Sequence, residues 1–202
     1  MAATLFKDTT YQLNNLIENI RRGEIALPDI QRPFVWPASK ARDLLDSMYK
    51  GFPVGYLLFW ATGAEVGARQ IGDGAKDAVP RLLIVDGQQR LTSLFAVFTG
   101  TSVLRKDYTQ GKLRIAFRPA DSRFEVTDAA IEKDPEFIPD ITEVWRSYRE
   151  TTRTFLSKLK EHRNQPLSDE EVDRLEDAID RVRDLHHYPF KAVELRTKKG
   201  SE

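Results

Sequence analysis

The chain contains no cysteine. That excludes disulfides, thiolate zinc sites and cysteine nucleophiles, and it fits a reducing compartment. Long apolar runs are missing too. The longest, Val54 to Ala61, is broken by Gly55 and falls far short of the roughly 20 residues a membrane helix needs. The first residues, Met1 to Asp8, carry no apolar segment of signal-peptide length. No membrane partner is therefore expected, and the cytoplasm is the default location. Neither charge sign is in excess: 31 Lys and Arg balance 31 Asp and Glu, for a net charge of +0. Whole-chain electrostatics gives no pull toward nucleic acid or lipid, so any anion site has to be local. There is no internal repeat, no Walker motif and no Gly-x-Ser-x-Gly elbow. What remains is an ordinary globular mixture, 202 residues with 41% hydrophobic and 31% charged, sized for one domain or one with a small appendage.

Periodicity places the elements. Leu13, Leu16, Ile17 and Ile20 predict a helix from about Thr10 to Arg22, stopped by Gly23. Leu44, Leu45, Met48 and Tyr49 predict another from about Ser39 to Lys50. Tyr56–Trp60 and Arg81–Val85 read as buried strands, separated by a Gly- and Ala-rich loop from Thr62 to Pro80. Leu91, Leu94, Phe95 and Phe98 predict a helix that Gly100 ends. A hairpin turn at Tyr108–Gly111 should lead into a strand at Lys112–Phe117, with Arg123–Val126 as its partner. The remainder is mostly helical. Ser168 and Glu171 form a capping box, Val172, Leu175, Ile179 and Val182 continue the stripe, and Phe190–Leu195 alternates like a last strand. The expected fold is α+β: a small mixed sheet with flanking helices over residues 1–126, then a helical extension over 127–202.

The second strand runs into Asp86-Gly87-Gln88-Gln89-Arg90 and then a helix. A helix start offers N–H groups and the positive end of its dipole to a phosphate. Gly87 allows positive φ and close approach to the backbone. Arg90 is a permanent bidentate cation, and the amides of Gln88 and Gln89 can fix a water, a ribose or a base edge. Asp86 is an oxygen ligand suited to magnesium. The same residues also suit plain structural jobs, with Asp86 a helix cap, Gly87 a turn residue and Arg90 the partner of a carboxylate. The density of polar groups between two apolar segments favours the site.

A second constellation is Gln31-Arg32-Pro33-Phe34-Val35-Trp36. Proline stiffens this loop, so Arg32, beside Gln31, can meet a phosphate at low entropic cost. Phe34 or Trp36 can stack on a base or anchor the loop, and anchoring is the simpler job for Trp36. The pair His186-His187 diverges on a helix and makes a poor metal site. Arg81, Arg105, Lys106, Lys112, Arg114 and Arg118 are candidates for a basic patch.

Three blocks in order carry a resemblance. Leu27-Pro28-Asp29-Ile30-Gln31-Arg32-Pro33-Phe34-Val35-Trp36 comes first, Leu44 to Trp60 second, and Asp86-Gly87-Gln88-Gln89-Arg90-Leu91-Thr92-Ser93-Leu94 third. Over about residues 10 to 100 the chain resembles the N-terminal domain of GmrSD-type, modification-dependent restriction nucleases, in the ParB and sulfiredoxin-like superfamily. The resemblance implies a ParB-like nucleotide-binding core, a candidate NTPase, that drives or licenses a separate or C-terminal nuclease domain against foreign, often modified DNA. Asp86, Gln88, Gln89 and Arg90 would be the signature site, with Gln31 and Arg32 facing it.

The expectation is thus a regulatory domain of a phage-defence system. A nucleoside triphosphate, with magnesium on Asp86, would sit at Gly87–Arg90, with Gln31, Arg32 and Trp36 nearby and Asp86, Gln88 and Gln89 placing a water. The alternative is a DNA-binding or nicking module using the same basic site. The chain departs from the family in lacking a His-Asn-His constellation and in stopping soon after Leu195, where members continue. Truncation at the C-terminus is expected, and nuclease activity by this chain alone is not.

Overall fold

The computed structural model describes residues 4–28, 36–61, 68–69, 80–104 and 110–196. In chain order the elements are β1 (Phe6–Gln12), α1 (Leu13–Arg21), β2 (Ile25–Pro28), α2 (Ala38–Tyr49), β3 (Leu57–Ala61), β4 (Ala68–Arg69), β5 (Leu82–Asp86), α3 (Gln88–Thr99), β6 (Val103–Leu104), β7 (Gln110–Gly111), β8 (Ile115–Arg118), β9 (Arg123–Val126), α4 (Thr142–Arg146), α5 (Tyr148–Arg163), α6 (Asp169–Arg183) and β10 (Pro189–Arg196). The fold is α+β, as expected: a mixed sheet of order β1-β10-β3-β5-β2-β4 with flanking helices, then a helical region.

Strand alternation decides which face receives the helices. Leu57, Phe59, Leu82, Ile84, Phe190 and Ala192 join one core with Leu13 and Leu16 of α1, Leu45 and Met48 of α2, and Leu91 and Leu94 of α3. On the opposite face Phe6, Leu195 and Trp60 are cross-strand neighbours and stay exposed. The β8–β9 hairpin pairs as the sequence suggests, and Phe117 and Phe124 pack on Tyr49 at 5.4 and 5.5 Å between ring centroids. Its first strand starts at Ile115 rather than Lys112. Of the predicted turn before it, Gln110–Gly111 forms β7, and Tyr108 and Thr109 lie outside the described residues.

One difference has a clear cause. Thr10, Tyr11 and Gln12 belong to β1, not to the first helix, and β1 pairs with β10, the strand foreseen at Phe190–Leu195. That strand lies between β1 and β3, antiparallel to the first and parallel to the second. Tyr11 meets Phe59 edge-on at 5.9 Å, and its hydroxyl donates to the buried carboxylate of Glu194. A partner 183 residues away overrides the local helical spacing. The helical region is also stapled to α3. Trp145 stacks on Phe98 at 3.6 Å and donates its indole N–H to the Val182 carbonyl at 3.1 Å. The Ser168 half of the capping box forms, with Ser168 Oγ accepting from the Glu171 N–H, while the Glu171 carboxylate pairs with Arg163.

A chain ending at residue 126 would lack β10 and leave β1 without its only described neighbour in the sheet. Urea unfolding followed by circular dichroism should show one cooperative transition for the full chain and none for that fragment. A cooperative fragment would contradict this account of the sheet.

His186 leans against both Phe98 and Trp145. Burial, and secondarily His187, pull its pKa below the ordinary 6.5. The unfolded chain therefore takes up the proton first, and stability should fall as pH drops through about 6.5 toward the lower folded-state value. Between about pH 7 and pH 5.5, before carboxylates titrate, the urea midpoint should decline in the wild type and decline less in His186→Phe. Equal declines would assign the effect elsewhere.

Candidate functional site

β2 and β5 run parallel, so their carboxyl ends open on one edge of the sheet. Ligands of open α/β sheets sit in the crevice outside such ends. β2 leads into the proline-rich segment and β5 leads into the Asp86–Arg90 turn. Gln31 and Arg32 lie outside the described residues. The far end of their segment does reach the turn, because the Trp36 N–H donates to Gln89 Oε1 at 3.3 Å. The Trp36 ring is half-buried against the core, with Lys40 Nζ 5.7 Å from its centroid, which is an anchoring position.

Gly87 is the pivot. It caps α3 in the left-handed region, φ 90° and ψ 8°, with no side-chain cap. A Cβ there would stand 2.4 Å from Cδ2 of the fully buried Leu57. Both the dihedral and the space therefore demand glycine. From this pivot Asp86 points into solvent with its side chain 75% exposed. Gln88 turns inward and is buried. One turn further on the same helix, Thr92 Oγ1 is buried and has no hydrogen-bond partner among the described residues. Ser93 is fully buried and donates to the Gln89 carbonyl at 2.8 Å, a structural bond rather than a nucleophile's arrangement.

Arg90 acts on the protein itself. Its Nη1 donates to the Val54 carbonyl at 2.5 Å and its Nη2 to the Tyr56 carbonyl at 2.7 Å. Nη2 also lies 3.4 Å from Asp86 Oδ2. The side chain is 16% exposed. Gly55, at φ 86°, sits so close that a Cβ would approach Arg90 Nη1 to 2.7 Å. Arg90 thus straps the segment before β3 to the start of α3, and the carboxylate partner foreseen for it is Asp86. Val54, Gly55 and Tyr56 carried no sequence signal for this, because carbonyl acceptors leave no mark in a side-chain pattern.

Two members of the foreseen basic patch, Arg114 and Arg118, are paired with carboxylates. Arg114 pairs with Glu132 at 2.8 Å and Asp140 at 3.5 Å, and Arg118 with Asp121 at 2.5 Å and Glu136 at 3.7 Å. Arg105 and Lys106 lie outside the described residues. Arg81 and Lys112 are exposed. Among the described residues no three His, Asp or Glu side chains gather as a metal site. Magnesium is commonly held by one or two carboxylates together with substrate phosphates, and the exposed Asp86 suits that mode. No described helix is long and apolar enough to cross a membrane.

This is a mixed α/β domain with a glycine-pivoted turn at the carboxyl edge of its parallel strands. Residues 13–200 match the family described as the GmrSD restriction endonuclease, N-terminal domain, and the chain belongs to that family. It is also 36% identical over 95 residues to an uncharacterized protein of Methanocaldococcus jannaschii, a match covering 43% of this chain and 16% of that relative. The chain therefore aligns with only a small part of the curated relative's length.

Two substitutions test the construction of the turn. Gly87→Ala should cost more than about 2 kcal/mol from the left-handed backbone and the overlap with Leu57. Arg90→Ala should cost about 1.5–3 kcal/mol through the loss of charged hydrogen bonds to two carbonyls. Chemical denaturation measures both, and a stability within about 0.5 kcal/mol of wild type for either would remove that residue from the construction.

Proposed function

We propose that this domain is the nucleotide-binding regulatory module of a GmrSD-type restriction system, taking a nucleoside triphosphate with magnesium at the start of α3. One observation carries the reading. Gly87 fits with no room for a Cβ, and it aims an exposed carboxylate, Asp86, beside the opening of a twelve-residue helix. Helix starts favour anions through their N–H groups and dipole, and the carboxylate suits the metal that accompanies a triphosphate.

The residues divide the work. Asp86 holds the metal. Gln89, tied to the Trp36 N–H, couples the turn to the segment carrying Gln31 and Arg32, which add amide and cationic contacts to the phosphates. Gln88 and Gln89 orient a water if turnover occurs, since phosphoryl transfer needs mainly positioning and charge stabilisation. Arg90 keeps its charge beside the phosphates while its hydrogen bonds hold the floor of the site. In the complete system the nucleotide state licenses a nuclease domain acting on foreign DNA, the defence role that the family implies.

The direct test is calorimetric titration of ATP, GTP, CTP and UTP, each with magnesium, into wild type, Asp86→Asn and Gln88→Ala. Arg90→Ala is a poor probe because it loosens the fold. Micromolar binding of at least one nucleotide, weakened tenfold or more by Asp86→Asn, is the expected result. A folded wild type that binds none of the four but binds duplex DNA with steep salt dependence would overturn the proposal in favour of a DNA-binding module.

A further inference from the structure

We propose, resting on the nucleotide reading above, that Tyr56 is the stacking platform for the base, so that the ligand class is a base-bearing nucleotide rather than a bare polyphosphate or a sugar–phosphate backbone. Tyr56 is 64% exposed, the most exposed of the large hydrophobic side chains described. An exposed aromatic is unremarkable on a mobile loop, but this one stands on a fixed mount. The Arg90 guanidinium holds the carbonyls on both sides of Gly55, those of Val54 and Tyr56 itself, and Gly55 is locked in the left-handed region against the same guanidinium. The carbonyl of Tyr56 is engaged by Arg90 while its ring and hydroxyl make no hydrogen bond among the described residues.

The mount also places the ring beside the right chemistry. Leu57 points inward and closes on Gly87. Tyr56, one residue earlier, continues the alternation to the other face, with Leu58 and Trp60. Asp86 is registered opposite Leu58 beside a β-bulge, and one Arg90 Nη2 contacts both the Asp86 carboxylate and the Tyr56 carbonyl, which brings these two exposed residues to one face of the turn. A triphosphate at Gly87 leaves its nucleoside end to lie against that face. Aromatic stacking tolerates any base, because each presents a π-face. Tyr56 therefore contributes affinity for nucleotides as a class, and choice among bases falls to groups that read base edges.

The test compares each nucleoside triphosphate with inorganic tripolyphosphate, both with magnesium, on wild type, Tyr56→Ala and Tyr56→Phe. Near-wild-type circular dichroism and urea midpoint, expected for an exposed side chain whose carbonyl is retained, qualify the variants. Tyr56→Ala should weaken nucleotide binding on the order of tenfold while leaving tripolyphosphate affinity unchanged, and Tyr56→Phe should restore the nucleotide. A nucleotide affinity unchanged by Tyr56→Ala, with wild-type binding intact, overturns the platform and leaves the nucleotide reading standing. Equal weakening of nucleotide and tripolyphosphate assigns Tyr56 to the shape of the phosphate site and also overturns it. Absence of nucleotide binding by the wild type overturns both.

Discussion

The strap from Arg90 to the carbonyls of Val54 and Tyr56 is the interaction on which the site depends. It joins the first turn of α3 to the segment entering β3, and both Gly55 and Gly87 are glycine because a Cβ at either would meet that guanidinium or Leu57. A charged donor makes a stronger hydrogen bond to a carbonyl than a neutral amide N–H does, and at 16% exposure it is only partly screened. The geometry of the turn is thereby fixed by the protein's own contacts. Pre-formed geometry lowers the ordering cost of binding.

The sheet supplies the second constraint. β10 closes the gap between β1 and β3, so the last described strand fixes the first and the helical region cannot be peeled away without dismantling the sheet. The stack of Phe98, Trp145 and His186 then ties α3, which begins at the candidate site, to α4 and the end of α6. A ligand that biased the start of α3 would act on one end of this packed connection, the physical form a regulatory coupling would take.

Much of this was legible in the sequence, and the misses have physical causes. α2, α3, the β8–β9 pair and the Ser168 cap follow from local periodicity and local capping chemistry, and they are found close to where those signals put them. The Asp86–Arg90 turn was visible because glycine between an apolar strand and an apolar helix has few other uses. β1 was hidden because Thr10, Tyr11 and Gln12 pair with residues near the other end of the chain. The main task of Arg90 was hidden because its acceptors are backbone atoms. Tyr56 looked like the first residue of a buried strand, and only the three-dimensional alternation around Leu57 shows that it faces outward.

The central claim is that nucleotide binds at the start of α3. Amide chemical-shift mapping on the isotope-labelled chain, with a nucleoside triphosphate and magnesium added, tests it without altering any residue. The account predicts that the largest shifts fall on Gly87, Gln88 and Gln89, with Tyr56 and Trp36 next. Shifts concentrated instead on another surface, such as the groove between Phe137 and Lys158 beside α5, would contradict it.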